Sequence, residues 1–85
     1  MTTITVYSRK GCGLCREAEA AVAELAEGRA DVTVVDIDRD PELYDRYTVR
    51  VPVVAINGEE LFDFVVDRTQ LAEALDFAER RSSGR

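Results

Sequence analysis

The chain has no histidine, no tryptophan and only two cysteines, and it carries far less base than acid. Eleven Lys and Arg residues face 17 Asp and Glu, for a net charge of −6. That balance argues against nucleic acid as a partner, because phosphate contacts need basic clusters. It argues equally against an anionic membrane surface. No apolar run approaches the roughly 20 residues of a membrane-spanning helix. With no histidine and no third cysteine, one chain cannot complete the four-ligand set usual for zinc. The opening Met-Thr-Thr-Ile lacks the basic-then-apolar pattern of a signal peptide, so a cytoplasmic location is expected. No internal repeat or linker is visible. What is present suffices for a small fold. Eighty-five residues, 46% of them hydrophobic, allow one domain with a modest core. The expected domain spans residues 1–81, with a disordered polar tail at 82–85.

The two cysteines are three residues apart, in Gly11-Cys12-Gly13-Leu14-Cys15. Around them the chain reads in order. Thr3 to Tyr7 is β-rich and Ser8 to Gly11 is a polar loop. From Cys15, apolar residues recur at Ala18, Val22 and Leu25, one face of an amphipathic helix that runs to Glu27. Gly28 supplies its stop. Asp31 to Ile37 reads as a second, largely buried strand. Asp40-Pro41 starts a short helix ending near Tyr47. Val53 to Ile56 is a third strand, Asn57-Gly58 a hairpin turn, and Glu60 to Phe64 the returning strand. Asp67 and Gln70 mark the start of a last helix with Leu71, Ala74, Leu75 and Ala78 on one side. The order is β-α-β-α-β-β-α. It predicts an α/β domain with a four-stranded mixed sheet flanked by three helices.

Two thiols at a strand-to-helix turn can close on each other, which reads as a dithiol redox centre. Disulfides in a reducing compartment are usually catalytic or transient. Cys12 precedes or begins the helix, where free N–H groups and the helix dipole favour a thiolate. Cys15 lies on the apolar stripe. Cys12 is therefore assigned as nucleophile and Cys15 as resolving thiol. Gly13 is assigned to the tight turn and Leu14 to an apolar substrate contact. Arg9 and Lys10 read either as solvated loop charges or as groups that favour the thiolate. Tyr7 either lines the site or packs in the core. A purely structural disulfide, half of a zinc site and a cluster shared by two chains are the competing readings. Asp36-Ile37-Asp38-Arg39-Asp40 spaces carboxylates like a calcium loop. Pro41 and Tyr47 then stand where such a loop needs glycine and glutamate, so no metal site is assigned.

The cysteine motif after the first strand, the element order, and Val51-Pro52 entering the third strand resemble the glutaredoxin-like branch of the thioredoxin superfamily. The likeness covers about residues 3 to 81 and is similar to that of small bacterial glutaredoxin-like proteins. It implies a thioredoxin-like fold and thiol–disulfide oxidoreductase activity. It also implies a cis Pro52 facing the cysteines, with Val51 offering backbone groups to an extended substrate. Arg9, Lys10, Gly13, Leu14, Val51 and Pro52 are the substrate-binding residues on this reading. No cofactor is required beyond a redox-active Cys12–Cys15 disulfide. The partners expected are a disulfide-containing protein or low-molecular-weight thiol and an unidentified reductant, acting on a monomer. Two departures count against glutathione. Gly13-Leu14 replaces the Pro-Tyr that glutaredoxins usually place between the cysteines, and Phe62-Asp63 replaces a Gly-Gly pair after the hairpin. The alternatives are a glutathione-dependent glutaredoxin and, from another class, a non-catalytic binding module or an iron–sulfur or metal carrier dimer.

Overall fold

The computed structural model describes residues 2–83. Its elements are β1 (Thr3–Ser8), α1 (Gly13–Ala26), β2 (Asp31–Asp36), a single 3-10 turn (Ile37–Arg39), α2 (Pro41–Tyr47), β3 (Val53–Ile56), β4 (Glu59–Asp63) and α3 (Arg68–Ser83). The expected order is present in full. The strands form one mixed sheet in the order β2-β1-β3-β4. β1 and β2 are parallel, with Ile4 opposite Val32 and Val6 opposite Val34. β3 runs antiparallel to both β1 and β4.

The two-residue period of a strand divides the core between the sheet faces. On one face Ile4, Val6, Val54 and Ile56 pack against Val22 and Ala26 of α1 and against Leu71 and Leu75 of α3. On the other face Val53 meets Ile37 and Tyr47, with Tyr7, Leu43 and Val51 around them. This settles Tyr7 as a core residue. Its ring stacks on Tyr47 at 4.4 Å between centroids. Each fully buried aliphatic side chain contributes about 1.5–3 kcal/mol.

The punctuation follows from local chemistry. Gly28 has φ 73°, and the N–H groups of Arg29 and Ala30 both donate to the Ala26 carbonyl, closing α1. Arg29 then pairs with Asp76 and Glu79 on α3. Asp40 caps α2 through the Glu42 N–H at 3.0 Å, with Pro41 in its first turn. Asp67 caps α3 through the N–H groups of Thr69 and Gln70. Asn57 and Gly58 both have positive φ, the conformation a two-residue hairpin requires. Asn57 also exchanges two bonds with Thr3: its N–H donates to the Thr3 carbonyl, and its side chain accepts the Thr3 N–H.

Three expectations are corrected. β2 is not largely buried: Val32 and Val34 are exposed. Among the described residues it is an edge strand with β1 as its only sheet neighbour. β4 ends at Asp63, because Phe64 has φ 63° and leaves the strand. Within β4, Leu61 is an extra residue, since Val54 faces Phe62 while Ala55 faces Glu60. The expected tail at 82–85 begins inside α3, which continues to Ser83, and its remainder, 84–85, lies outside the described residues.

Candidate active site

β1 ends at the buried Ser8, and the chain reverses through Arg9, Lys10 and Gly11. Gly11 makes the reversal with φ 74°. Cys12 follows in an extended conformation and serves as the N-cap of α1. Its sulfur takes the place of the usual hydroxyl or carboxylate cap. The Cys15 N–H donates to it at 3.1 Å, and the Arg16 N–H donates to the Cys12 carbonyl at 3.2 Å. Cys12 and Cys15 are joined as a disulfide, their Cα atoms 5.2 Å apart. The helix fixes how unlike the two sulfurs are. Cys15 points to the face that carries Ala18 and Val22 and is fully buried, whereas Cys12 is partly exposed. An incoming group meets Cys12 first.

The Gly13 assignment needs correction. Gly13 is the first residue of α1, has no positive φ, and a Cβ built there meets no atom within 4 Å. The turn depends on Gly11 instead. Leu14 is exposed beside the disulfide, as an apolar contact requires. Arg9 does not stand free. Its Nε lies 3.2 Å from Asp38, and its guanidinium sits 5.1 Å above the Tyr44 ring. An exposed pair of this kind contributes at most about 1 kcal/mol, but it draws the charge toward α2. Lys10 is exposed and makes no ion pair among the described residues.

Val51 and Pro52 enter β3 at the end of the sheet where β1 delivers the cysteines, since Tyr7 is paired with Val53. The Val51–Pro52 peptide bond is cis and Pro52 is buried. The expected backbone edge is half closed. The Val51 N–H already donates to the Tyr47 carbonyl at 3.1 Å. The Pro52 carbonyl accepts the Phe64 N–H at 3.0 Å. Phe64 pays for its left-handed backbone with about 1–2 kcal/mol, since a Cβ crowds the following carbonyl there.

A polar network that sequence reasoning did not assemble lies behind this edge. The Tyr47 hydroxyl donates to Glu60. Arg50 reaches Glu60 at 2.9 Å and Asp63 at 3.5 Å. Burial, and then the facing Glu60 carboxylate, push the Tyr47 phenol upward. The Tyr47 hydroxyl, and then Arg50, hold the Glu60 carboxyl below its ordinary value. Acidic residues on the hairpin and a basic one before Val51 were legible; that they neutralise each other was not. A groove of about 810 Å³ between β4 and α3, lined in part by Ile56, Leu61, Ala74 and Phe77, lies at the opposite end of the sheet and contains none of these residues. No cluster of three or more His, Cys, Asp or Glu among the described residues is arranged to hold a metal ion. No helix among them is long and apolar enough to cross a membrane.

The family model described as Glutaredoxin-like domain (DUF836) matches residues 3–76. The structural-genomics target protein XcR50 from X. campestris is 36% identical, with a TM-score of 0.74 over 87% of this chain and 96% of that one. A mutant thioredoxin from Halobacterium salinarum is 28% identical, with a TM-score of 0.68 over 89% of this chain and 73% of that one. The NTD_N/C domain of alkylhydroperoxide reductase AhpF from Enterococcus faecalis is 28% identical, with a TM-score of 0.73 over 87% of this chain and 37% of that longer one. No curated protein matches the chain.

Proposed function

The chain belongs to the Glutaredoxin-like domain family (DUF836), and on that premise we propose that it is a dithiol thiol–disulfide oxidoreductase. The observation that carries this reading is the Cys12–Cys15 pair at the mouth of α1, with one sulfur accessible and its partner buried behind it. Two neighbours whose names are thioredoxin and alkylhydroperoxide reductase support it.

In the reduced protein the Cys12 thiolate attacks one sulfur of a substrate disulfide. A Cys12–substrate disulfide forms and the other substrate sulfur leaves as a thiolate, which takes a proton from solvent. The Cys15 thiolate then attacks the Cys12 sulfur, releases the second substrate thiol and closes the Cys12–Cys15 disulfide. Two electrons have passed from the dithiol to the substrate. A thiol or dithiol donor restores the reduced pair by the reverse exchange. The N–H of Cys15 and the start of α1 favour the negative charge on Cys12 before the first attack and again when a donor releases it on re-reduction. A reducing compartment such as the cytoplasm suits this cycle.

The substrate is a protein disulfide or a low-molecular-weight disulfide other than glutathione's. The occupied Val51 N–H, the half-exposed ring of Phe64 and the pairing of Arg50 with Glu60 and Asp63 remove the handles an anionic tripeptide needs. The test is trapping with Cys15→Ser, which leaves no resolving thiol. Accumulation of a mixed disulfide on Cys12 is expected. A variant that traps nothing from a disulfide substrate, beside a wild type that reduces none, would sink the reading.

A further inference from the structure

α3 presents three faces. Leu71, Leu75 and Ala78 pack on the sheet. Asp76 and Glu79 hold Arg29 just past the end of α1, and Arg68 holds Glu24 within it. The third face carries Glu73, Phe77 and Arg81 at steps of four, so the three lie in one row. That row forms one wall of the groove of about 810 Å³, with Leu61 of β4 on the other. Phe77 is 55% exposed, the most exposed aromatic ring among the described residues, and Leu61 is exposed as well.

Glu73 and Arg81 carry opposite charges, yet they lie about 12 Å apart along the helix, too far to pair within one chain. Neither is in an ion pair among the described residues. The Arg81 guanidinium lies instead over the Phe77 ring, 5.6 Å from its centroid. Phe77 stands midway between the two charges. Lay a second α3 antiparallel against the first, with a two-fold axis at Phe77. Residues equally far from Phe77 on either side then come to the same level. Glu73 of each copy faces Arg81 of the other, and the two Phe77 rings meet at the axis. A parallel arrangement would set Glu73 on Glu73 and Arg81 on Arg81, which like charges oppose. A wholly basic partner would be repelled by Arg81 and a wholly acidic one by Glu73. A second copy satisfies both.

We infer that the groove between α3 and β4 is the interface of a reversible homodimer, antiparallel about Phe77, in place of the monomer expected from the sequence. A strip about 24 Å long and about 20 Å wide covers on the order of 500 Å² per copy. That is the low end for a specific pair, so the association is weak and concentration-dependent. The groove lies at the end of the sheet opposite the cysteines, so both pairs stay clear of the contact. The dimer is therefore independent of the oxidoreductase reading.

Sedimentation equilibrium of the oxidised protein, from about 10 µM to about 1 mM, is the test. Both cysteines are paired within the chain, so a rise in mass does not come from disulfides between copies. The mass should climb from monomer toward dimer over that range. Glu73→Arg and Arg81→Glu should each weaken association about tenfold or more, because each sets like charges together twice. The double variant reverses both signs and should return to within about threefold of wild type. A variant that had lost its fold would not recover on a second substitution, so the double variant separates contact from fold. Phe77→Ser should remain a monomer throughout. A wild type still monomeric at about 1 mM, single reversals without effect, or a double variant no better than either single one overturns the proposal. So does a monomer whose Phe77 resonances shift on adding a peptide of alternating Leu and Lys, which would give the groove to a basic partner.

Discussion

The backbone N–H of Cys15 donates to the sulfur of Cys12 at 3.1 Å, so the sulfur assigned as nucleophile caps α1 through the residue assigned to resolve it. This bond stabilises charge on Cys12, and the burial of Cys15 shields the second sulfur. After reduction, Cys12 should alkylate faster than Cys15 at neutral pH. Cys12→Ser should abolish disulfide reduction, and Cys15→Ser should stop after one exchange. Mass spectrometry of alkylated peptides and a single-turnover assay check both. Faster labelling of Cys15 would reverse the assigned roles.

Glu60 should make stability fall in acid. Its carboxyl is held below the ordinary 4.5, first by the Tyr47 hydroxyl and then by Arg50, with Arg46 adding attraction. A carboxyl lowered in the fold stabilises it above the unfolded value, and that contribution disappears as pH drops through the folded value. Wild type should therefore melt higher than Glu60→Gln at neutral pH, and the two should converge as pH falls through the lowered folded value. Glu79, lowered by Arg29, titrates in the same direction, but it is common to both proteins. Parallel melting curves at every pH would count against the network.

Glutathione should be a poor ligand. A deglutathionylation assay with a glutathionylated peptide is expected to show no saturation at micromolar substrate. Efficient, saturable turnover by Cys12 would instead promote the glutathione-dependent reading.

The two glycines of the turn should behave in opposite ways. Gly11→Ala places a Cβ at φ 74° and should cost about 1–2 kcal/mol. Gly13→Ala adds a better helix former in open space and should be neutral or stabilising by no more than about 1 kcal/mol. Urea denaturation of the oxidised variants reads both.

Leu75→Ala removes a fully buried side chain between α3 and the sheet. The expected loss is about 2–5 kcal/mol, a large share of the stability of so small a domain. A shift in denaturation midpoint with an unchanged slope is the measurement.

Much of the fold was legible because its signals are local. Asn57-Gly58, Asp40-Pro41, Asp67 and Gly28 each act within a few residues, and each does what its chemistry implies. The stripe through Cys15, Ala18 and Val22 likewise fixes which cysteine is buried. What escaped was non-local. A run of β-branched residues looks the same in a central strand as at an edge, so Val32 and Val34 gave no hint of their exposure. The Tyr47–Glu60 bond joins residues 13 apart across two elements. The Val51 N–H was expected to be open because nothing in the sequence shows that the turn after α2 brings the Tyr47 carbonyl to it. Phe64 escaped for another reason: left-handed backbone is anticipated at glycine or asparagine, not at a bulky aromatic.

The exposed edge of β2 carries a consequence for solution behaviour. A strand with one open edge and apolar Val32 and Val34 is a template for sheet-to-sheet aggregation. β2 is bracketed by Asp31 and Asp36. If two copies met edge to edge, antiparallel and in full register, each Asp31 would face the other copy's Asp36, at both ends of the ladder. Like charges placed opposite each other destabilise a strand pair. Two aspartates thus act as gatekeepers against fibril-like stacking, while the valines between them remain free to hold β2 on β1. The protection is electrostatic, so it weakens as added salt shortens the screening length. Replacing both aspartates with asparagine removes it at any ionic strength.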